Sequence, residues 1–380
     1  MSDERYRKAA RIIVKAGVFP FPINDTLLEI LKSVIDEDDL DFIMAFRRKT
    51  SQTMDEIKKR SEMSEQQIFN HVEKLAKVGL IFNQPNSKGT MVYRLMPLVM
   101  VGLFEYIFMK KLNYTEEEHR LAKLFSKLFD ELGIFIQDGY DSIMPIFENM
   151  KPFDRTIPIT GRNANDKDIK ISINSEVEVP EEQILIAKEI KNIIDKFDDI
   201  AVGHCFCRHH KDLLGEPCKQ TDLRENCFTF GKSARYTVEQ GFARMIDKEE
   251  ALEILKKSEE AGLVHKVFHP HSDIYKDETS ICNCCKDCCG TFEWWKTGMI
   301  AMINYAHYLA EIDIDYCVGC GTCIDKCPVE AISLNEDNRA KLNPDWCIGC
   351  GVCAYFCTEN AISLIEVFRK IYVPPPRIRS

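Results

Sequence analysis

The sequence predicts an α+β multidomain chain, and three observations carry that reading. Residues 51–95 show two consecutive helical patterns followed by two β-prone runs. A cysteine-rich stretch with helical periodicity occupies the middle of the chain. Residues 310–368 contain an internal repeat at a constant offset of 30, Tyr316-CVGCGTCIDKCPVEAISL against Trp346-CIGCGVCAYFCTENAISL. The expected organisation is a domain at 1–150, a cysteine-rich domain at 151–309, the duplicated domain at 310–368 and a Pro-rich tail at 369–380.

The 380 residues carry a formal charge of −10 and a hydrophobic fraction of 45%, enough for buried cores. The opening MSDERYRKAARIIVKAG lacks the continuous apolar run of a secretory signal. The longest oily stretch, Pro97 to Met109, contains Glu105 and is too short to cross a bilayer. The expected setting is cytoplasmic, with no membrane span. In that reducing compartment the 17 cysteines read as metal ligands rather than disulfides. Their density points to an anaerobic niche.

Taken in order, Thr53 and Glu56 form a capping-box pattern that opens one helix, and Ser64 opens the next. Ile68, Val72, Leu75 and Ala76 share one face of the second helix, and Gly79 closes it. Leu80–Phe82 and Met91–Leu95 would then pair across the turn Asn83 to Thr90, which completes a winged helix-turn-helix. From 97 to 150, Leu121, Leu124, Phe125, Leu128 and Phe129 predict a helical docking or dimerisation element, so a homo-oligomer is one expectation. Pro152 to Val179 contains short β-like runs broken by Gly161, Asn163 and Asn165 and reads as a linker, and a helix is expected from Pro180 through Ile184, Ala187, Ile190, Ile194 and Phe197. Asp247 and Glu250 open a further helix that ends at Gly262, so the middle domain is expected to interleave helices with two cysteine-bearing loops.

The duplicated segment carries Cys317-x2-Cys320-x2-Cys323-x3-Cys327-Pro328 and Cys347-x2-Cys350-x2-Cys353-x3-Cys357. That spacing predicts two cubane [4Fe-4S] clusters, each taking three cysteines from one repeat and the fourth from the other. On this logic Cys317, Cys320, Cys323 and Cys357 hold one cluster, and Cys347, Cys350, Cys353 and Cys327 hold the second. Gly319, Gly321, Gly349 and Gly351 let the backbone curl with its N–H groups towards the sulfides. These residues resemble the bacterial-type two-cluster ferredoxins over about 55 residues. One departure is Thr358, where the first repeat has Pro328.

Nine cysteines remain. Cys205, Cys207, Cys218 and Cys227 lie in one stretch and could complete one cluster; Cys282, Cys284, Cys285, Cys288 and Cys289 crowd into eight residues, too tightly for all to share one. One or two additional iron–sulfur clusters are expected here, with zinc as the alternative. Cys288-Cys289-Gly290 is similar to the CCG motif of heterodisulfide-reductase-type proteins, without the rest of that motif. His204, His209, His210, His265, His269 and His271 read as polar neighbours hydrogen-bonded to the fold, and Trp294 and Trp295 as packing. Taken whole, the order of winged helix, CxCR loop, second cysteine group and duplicated domain resembles a family of multi-cluster iron–sulfur binding proteins of anaerobic bacteria and archaea. That resemblance implies a part in electron transfer.

Residues 40–96 hold ten Lys and Arg against six acids, a modest excess. Gln66, Gln67, Asn70 and His71 could read bases, yet Glu65 and Glu73 sit on the same helix, so DNA is the disfavoured partner. No dinucleotide fingerprint, P-loop or Ser/His/Asp set is present, and no catalytic residue is assigned. The sequence therefore reads as an electron-transfer subunit of an oxidoreductase, working with a redox partner protein or complex, rather than a stand-alone enzyme. The alternatives are a redox-sensing transcription regulator, or a reductase whose middle cluster has an open iron.

Overall fold

The structure, a computed structural model, describes residues 2–173, 189–270 and 273–378. The start of the helix expected from Pro180, with Ile184 and Ala187, lies outside the described residues, as does His271. The chain is a mixed α/β, multidomain protein. It divides into two compact units, one of Met1–Ile134, Gly203–Pro217 and Lys232–Met245, the other of Phe135–Val202, Cys218–Gly231 and Ile246–Ser380. No helix among the described residues is long and apolar enough to cross a membrane.

In the first unit, helices Ser2–Ala16, Asp25–Val34 and Asp39–Met44 precede strand β1 (Ser51–Gln52). Helices Met54–Ser61 and Glu65–Lys77 follow, then β2 (Ile81–Pro85) and β3 (Met91–Leu95), in an antiparallel sheet of order β1-β3-β2. Both helices start at full capping boxes. The Thr53 N–H donates to Glu56 at 2.9 Å and the Ser64 N–H to Gln67 at 2.9 Å, while each N-cap hydroxyl accepts in return. Gly79 must be glycine: its φ is 82°, and a Cβ there would stand 2.4 Å from the Cβ of Tyr106. β2 runs three residues further than its apolar residues suggest, because the cross-strand partners of Asn83, Gln84 and Pro85 keep it in register to Met91. Helices Leu103–Met109 and Phe206–Leu213, with the part of Glu116–Asp138 up to Ile134, enclose an aromatic core. The Phe104 ring centre lies 5.2 Å from Phe125, 5.0 Å from Phe129 and 5.2 Å from His210.

The second unit is built on a sheet. The sheet's strands in chain order are β4 (Asp154–Ile157), β5 (Ile171–Ile173), β6 (Ile200–His204), β7 (Glu225–Phe230), β8 (Ala243–Ile246), β9 (Val264–Phe268), β10 (Ser280–Cys284), β11 (Met302–Ile312) and, after the separate antiparallel pair β12 (Ile332–Leu334) and β13 (Ala340–Leu342), β14 (Ile362–Val373). β6 and β8 straddle the boundaries between units. Within this unit the neighbours run β5-β14-β11-β4-β9-β10-β7. One face packs Ile157, Val267, Ile281, Phe228 and Phe230 against Ile193, Ile194, Ala251 and Leu255 of helices Ile190–Asp195 and Lys248–Glu260. The other face carries cysteines and merges with the core of the duplicated segment.

Two expectations are corrected here. The stretch read as a linker contains β4, buried at all four residues, parallel to β11 and antiparallel to β9. Its charged residues Asp154 and Arg155 are buried in ion pairs with Lys266 and Glu278. The middle cysteines are not confined to loops between helices. Cys227 lies on β7, and Cys282 and Cys284 on β10, where ladder pairing fixes them.

Candidate metal centres

Each cysteine loop of the duplicated segment ends in a short helix, Thr322–Lys326 or Val352–Tyr355, that starts at a left-handed glycine, Gly321 or Gly351. The closest approaches come two residues earlier. A Cβ on Gly349 would stand 2.0 Å from the Tyr308 carbonyl oxygen, and one on Gly319 would stand 2.1 Å from that of Asn338. Only glycine lets these loops pass so near the backbone that encloses them. The ladder of β11 and β14 shifts register between Ala306 and Tyr308, next to the point where Gly349 approaches. Backbone N–H groups of Ala331, Ala340 and Ala361 donate to the sulfurs of Cys327, Cys317 and Cys357, each at 3.3 Å.

Cys317, Cys320, Cys323 and Cys357 line one cavity of about 390 Å³, together with Ile312, Ala340 and Ile362. Cys327, Cys347, Cys350 and Cys353 line another of about 340 Å³, with Ala310, Ile348 and Val352. The first opens towards solvent at Cys320, whereas Cys347, Cys350 and Cys353 are buried. Burial, then the neighbouring Cys317 and Cys320, pushes the Cys323 thiol up to about 11, and burial holds Cys350 and Cys353 higher still. Thiols so placed ionise when a cation shares their site, which is the chemistry iron supplies. Four soft donors around an apolar cavity, with glycine backbone at its wall, fit a cubane.

Residues 310–364 match the family model of the 4Fe-4S dicluster domain. They form a dicluster ferredoxin-type domain. Two [4Fe-4S] clusters belong to it, and an iron–sulfur electron-transfer role follows. The chain is 49% identical over 35 residues to a "Probable ferredoxin" of Methanosarcina thermophila, covering 9% of this chain and 60% of that protein. It is 56% identical over 27 residues to "Pyruvate synthase subunit PorD" of Methanothermobacter marburgensis, covering 7% of this chain and 33% of that one. The chain thus spans less than two thirds of the length of either relative. No solved structure matches it.

The middle cysteines are regrouped relative to their order in the chain. Cys218 meets Cys285 and Cys288, with all three sulfurs within 4.8 Å of one another. Cys227 pairs in register with Cys282 across β7 and β10. Cys282 and Cys284, two apart on β10, lie on one face, and the Cys284 thiol exchanges hydrogen bonds with Cys282 and Cys289. The five crowded cysteines therefore serve two places, because β10 ends at Cys284 and the turn to helix Gly290–Lys296 points the next residues elsewhere. Cys205 and Cys207 are buried in the first unit, at the N-cap and first turn of helix Phe206–Leu213. The middle region is compatible with further clusters.

The described histidines are held by the fold. His209 Nδ1 lies 2.9 Å from the Phe108 carbonyl, His210 Nε2 lies 2.9 Å from that of Ala122, and His269 Nδ1 lies 2.6 Å from that of Lys276. His265 Nδ1 lies 2.5 Å from Asn283 Oδ1. His204 stacks on His209 at 4.6 Å. Lys266 is the residue that sequence reasoning missed. It is buried on β9, 2.6 Å from Asp154 and opposite Cys282 in the ladder. Its place in the alternation of Val264-His265-Lys266-Val267-Phe268 offered the only signal.

Proposed function

We propose that this chain passes single electrons through several [4Fe-4S] clusters to or from a partner oxidoreductase. The observation that carries the reading is the pair of four-cysteine cavities, each drawing on both repeats. On this reading Cys317, Cys320, Cys323 and Cys357 ligate one cluster and Cys347, Cys350, Cys353 and Cys327 the other. The exposed Cys320 marks the side on which electrons enter or leave. A further cluster on the sheet, at Cys282, Cys284 and Cys289 with Cys227 beside them, would extend the path, since Cys282, Cys284 and Cys289 share one core with the dicluster domain.

The remaining parts follow. The order helix, strand, two helices and two strands supports a winged helix at residues 39–95. Docking to a protein is favoured over reading DNA, because the base-reading candidates are engaged: Gln67 in its capping box, Gln66 with Asn70 at 3.0 Å and His71 with Asp39 at 2.8 Å. On the same helix Phe69 is 45% exposed, which suits a protein partner. The three-domain organisation with a short tail, a cytoplasmic setting and an oxygen-poor niche complete the proposal. The relative named as a pyruvate synthase subunit makes a 2-oxoacid oxidoreductase the first partner to try.

Anaerobically purified chain, reduced with dithionite, should show EPR signals of at least two clusters and be reoxidised by such an enzyme at a rate that saturates with its concentration. Fewer than eight irons per chain, at four per cubane, or reoxidation that never saturates, defeats the reading.

A further inference from the structure

The trio Cys218, Cys285 and Cys288 differs in geometry from the cysteines around the cubane cavities. Its sulfurs lie 3.7 Å apart for Cys218 and Cys285, and 3.1 Å apart for Cys285 and Cys288. No three of the eight dicluster cysteines bring their sulfurs within 4.8 Å of one another. The contrast has a physical meaning. In a cubane each thiolate binds a different iron, so the ligand sulfurs stand well apart. Around one tetrahedral ion at a metal–sulfur distance of about 2.3 Å, they stand about 3.8 Å apart.

The trio is also a built site. Two loops 67 residues apart in sequence supply it, and they are fastened to each other beside the sulfurs. The Lys219 N–H donates to Asp287 at 2.7 Å, and the Lys286 N–H donates to the Gln220 side chain at 3.0 Å. The Gln220 amide in turn donates to the carbonyls of Ala261 and Gly262, each at 3.0 Å. The Cys218 sulfur accepts from the backbone N–H groups of Thr221 and Gln220, and the Cys285 sulfur accepts from the Cys288 N–H at 3.3 Å. Such donors orient thiolates and offset their charge. Cys285-Lys286-Asp287-Cys288 has the C-x2-C spacing of zinc knuckles, and Leu223, Ala261 and Leu263 close the surroundings.

We infer that Cys218, Cys285 and Cys288 hold one divalent ion of the zinc class, bound separately from the iron–sulfur clusters. Binding deprotonates the thiols and releases their protons to solvent, with no change of oxidation state. Among the described residues these three thiolates form one group within 4.8 Å, and they supply three of the four positions of a tetrahedral ion.

The test is metal analysis of the full-length protein, purified anaerobically from cells supplied with both zinc and iron, beside Cys218→Ser and Cys285→Ser. One zinc per chain should accompany the cluster iron, and either substitution should remove that zinc while leaving the iron count and the EPR of the dicluster domain unchanged. Retained EPR shows that the variants fold. Cobalt(II) loaded in place of zinc into the wild-type chain gives a readout that needs no variant: intense visible bands of a tetrahedral ion with thiolate charge transfer. Loss of about four irons from either variant with zinc unaltered would place a cubane there and overturn the inference. Wild-type protein that takes up neither zinc nor cobalt, or whose Cys285 and Cys288 are joined as a disulfide, overturns it equally. None of these results depends on electron transfer to a partner, so the inference and the proposed function fail independently.

Discussion

The Lys266 ammonium lies 2.6 Å from the Asp154 carboxylate, with the two side chains only 2% and 4% exposed. They sit diagonally across β9 and β4, and the Phe292 ring centre lies 5.3 Å from the ammonium. Neither charge tolerates loss of the other, because desolvation is offset only while both are present. Asp154→Asn should therefore destabilise the protein by about 3–5 kcal/mol, whereas Asp154→Leu with Lys266→Met should recover most of that loss. Urea unfolding of the three chains decides it. A double variant no more stable than the single would show that the pair does not act as a unit.

The proposed reciprocal ligation makes a prediction that runs against sequence proximity. Cys357→Ser, in the second repeat, should perturb the EPR of the cluster at Cys317, Cys320 and Cys323, and Cys327→Ser should perturb the other. Each variant should fall by up to about four irons per chain. Spectra altered in the variant's own repeat would refute the arrangement.

The glycines separate close approach from mere backbone freedom. Gly349→Ala forces a Cβ against the Tyr308 carbonyl and should cost the cluster of that loop. At Gly321 nothing lies within 4 Å of the added carbon, so Gly321→Ala should retain both clusters and lose only about 1–2 kcal/mol for its left-handed φ. Iron analysis and thermal unfolding distinguish the two.

His210 predicts acid sensitivity in the first unit. Burial pushes its folded pKa down from 6.5 to about 4, while the imidazole still reaches the Ala122 carbonyl. The unfolded chain gains a proton below pH 6.5 that the folded chain refuses until about pH 4, so stability falls as the pH drops through that window. The loss should approach about 3 kcal/mol, and His210→Gln should flatten that part of the curve. Equal slopes for the two proteins in urea unfolding would exclude His210 as the cause.

What was legible in the sequence was local. Thr53 with Glu56 and Ser64 with Gln67 announce helix starts because their partners are three residues away, and the eight duplicated cysteines carry their spacing with them. The regrouping of the middle cysteines was not legible. Cys218 meets Cys285 across a long stretch of chain, and Cys227 faces Cys282 only because β7 pairs with β10. The β-like run at β4 was legible but its place in the sheet was not, because the countercharges that let Asp154 and Arg155 be buried come from β9 and Glu278. Lys266 was hidden for the same reason.

The antiparallel ribbon of β11 and β14 is paired from Ile312 with Ile362 at the dicluster domain to Met302 with Val373 in the sheet. A domain tethered by a flexible hinge must swing to hand on its charge, and its turnover slows as the medium thickens. Here a ladder that resumes on both sides of its one register shift joins the dicluster domain to the sheet, so electron passage within this unit should be set by fixed tunnelling gaps and be indifferent to viscosity.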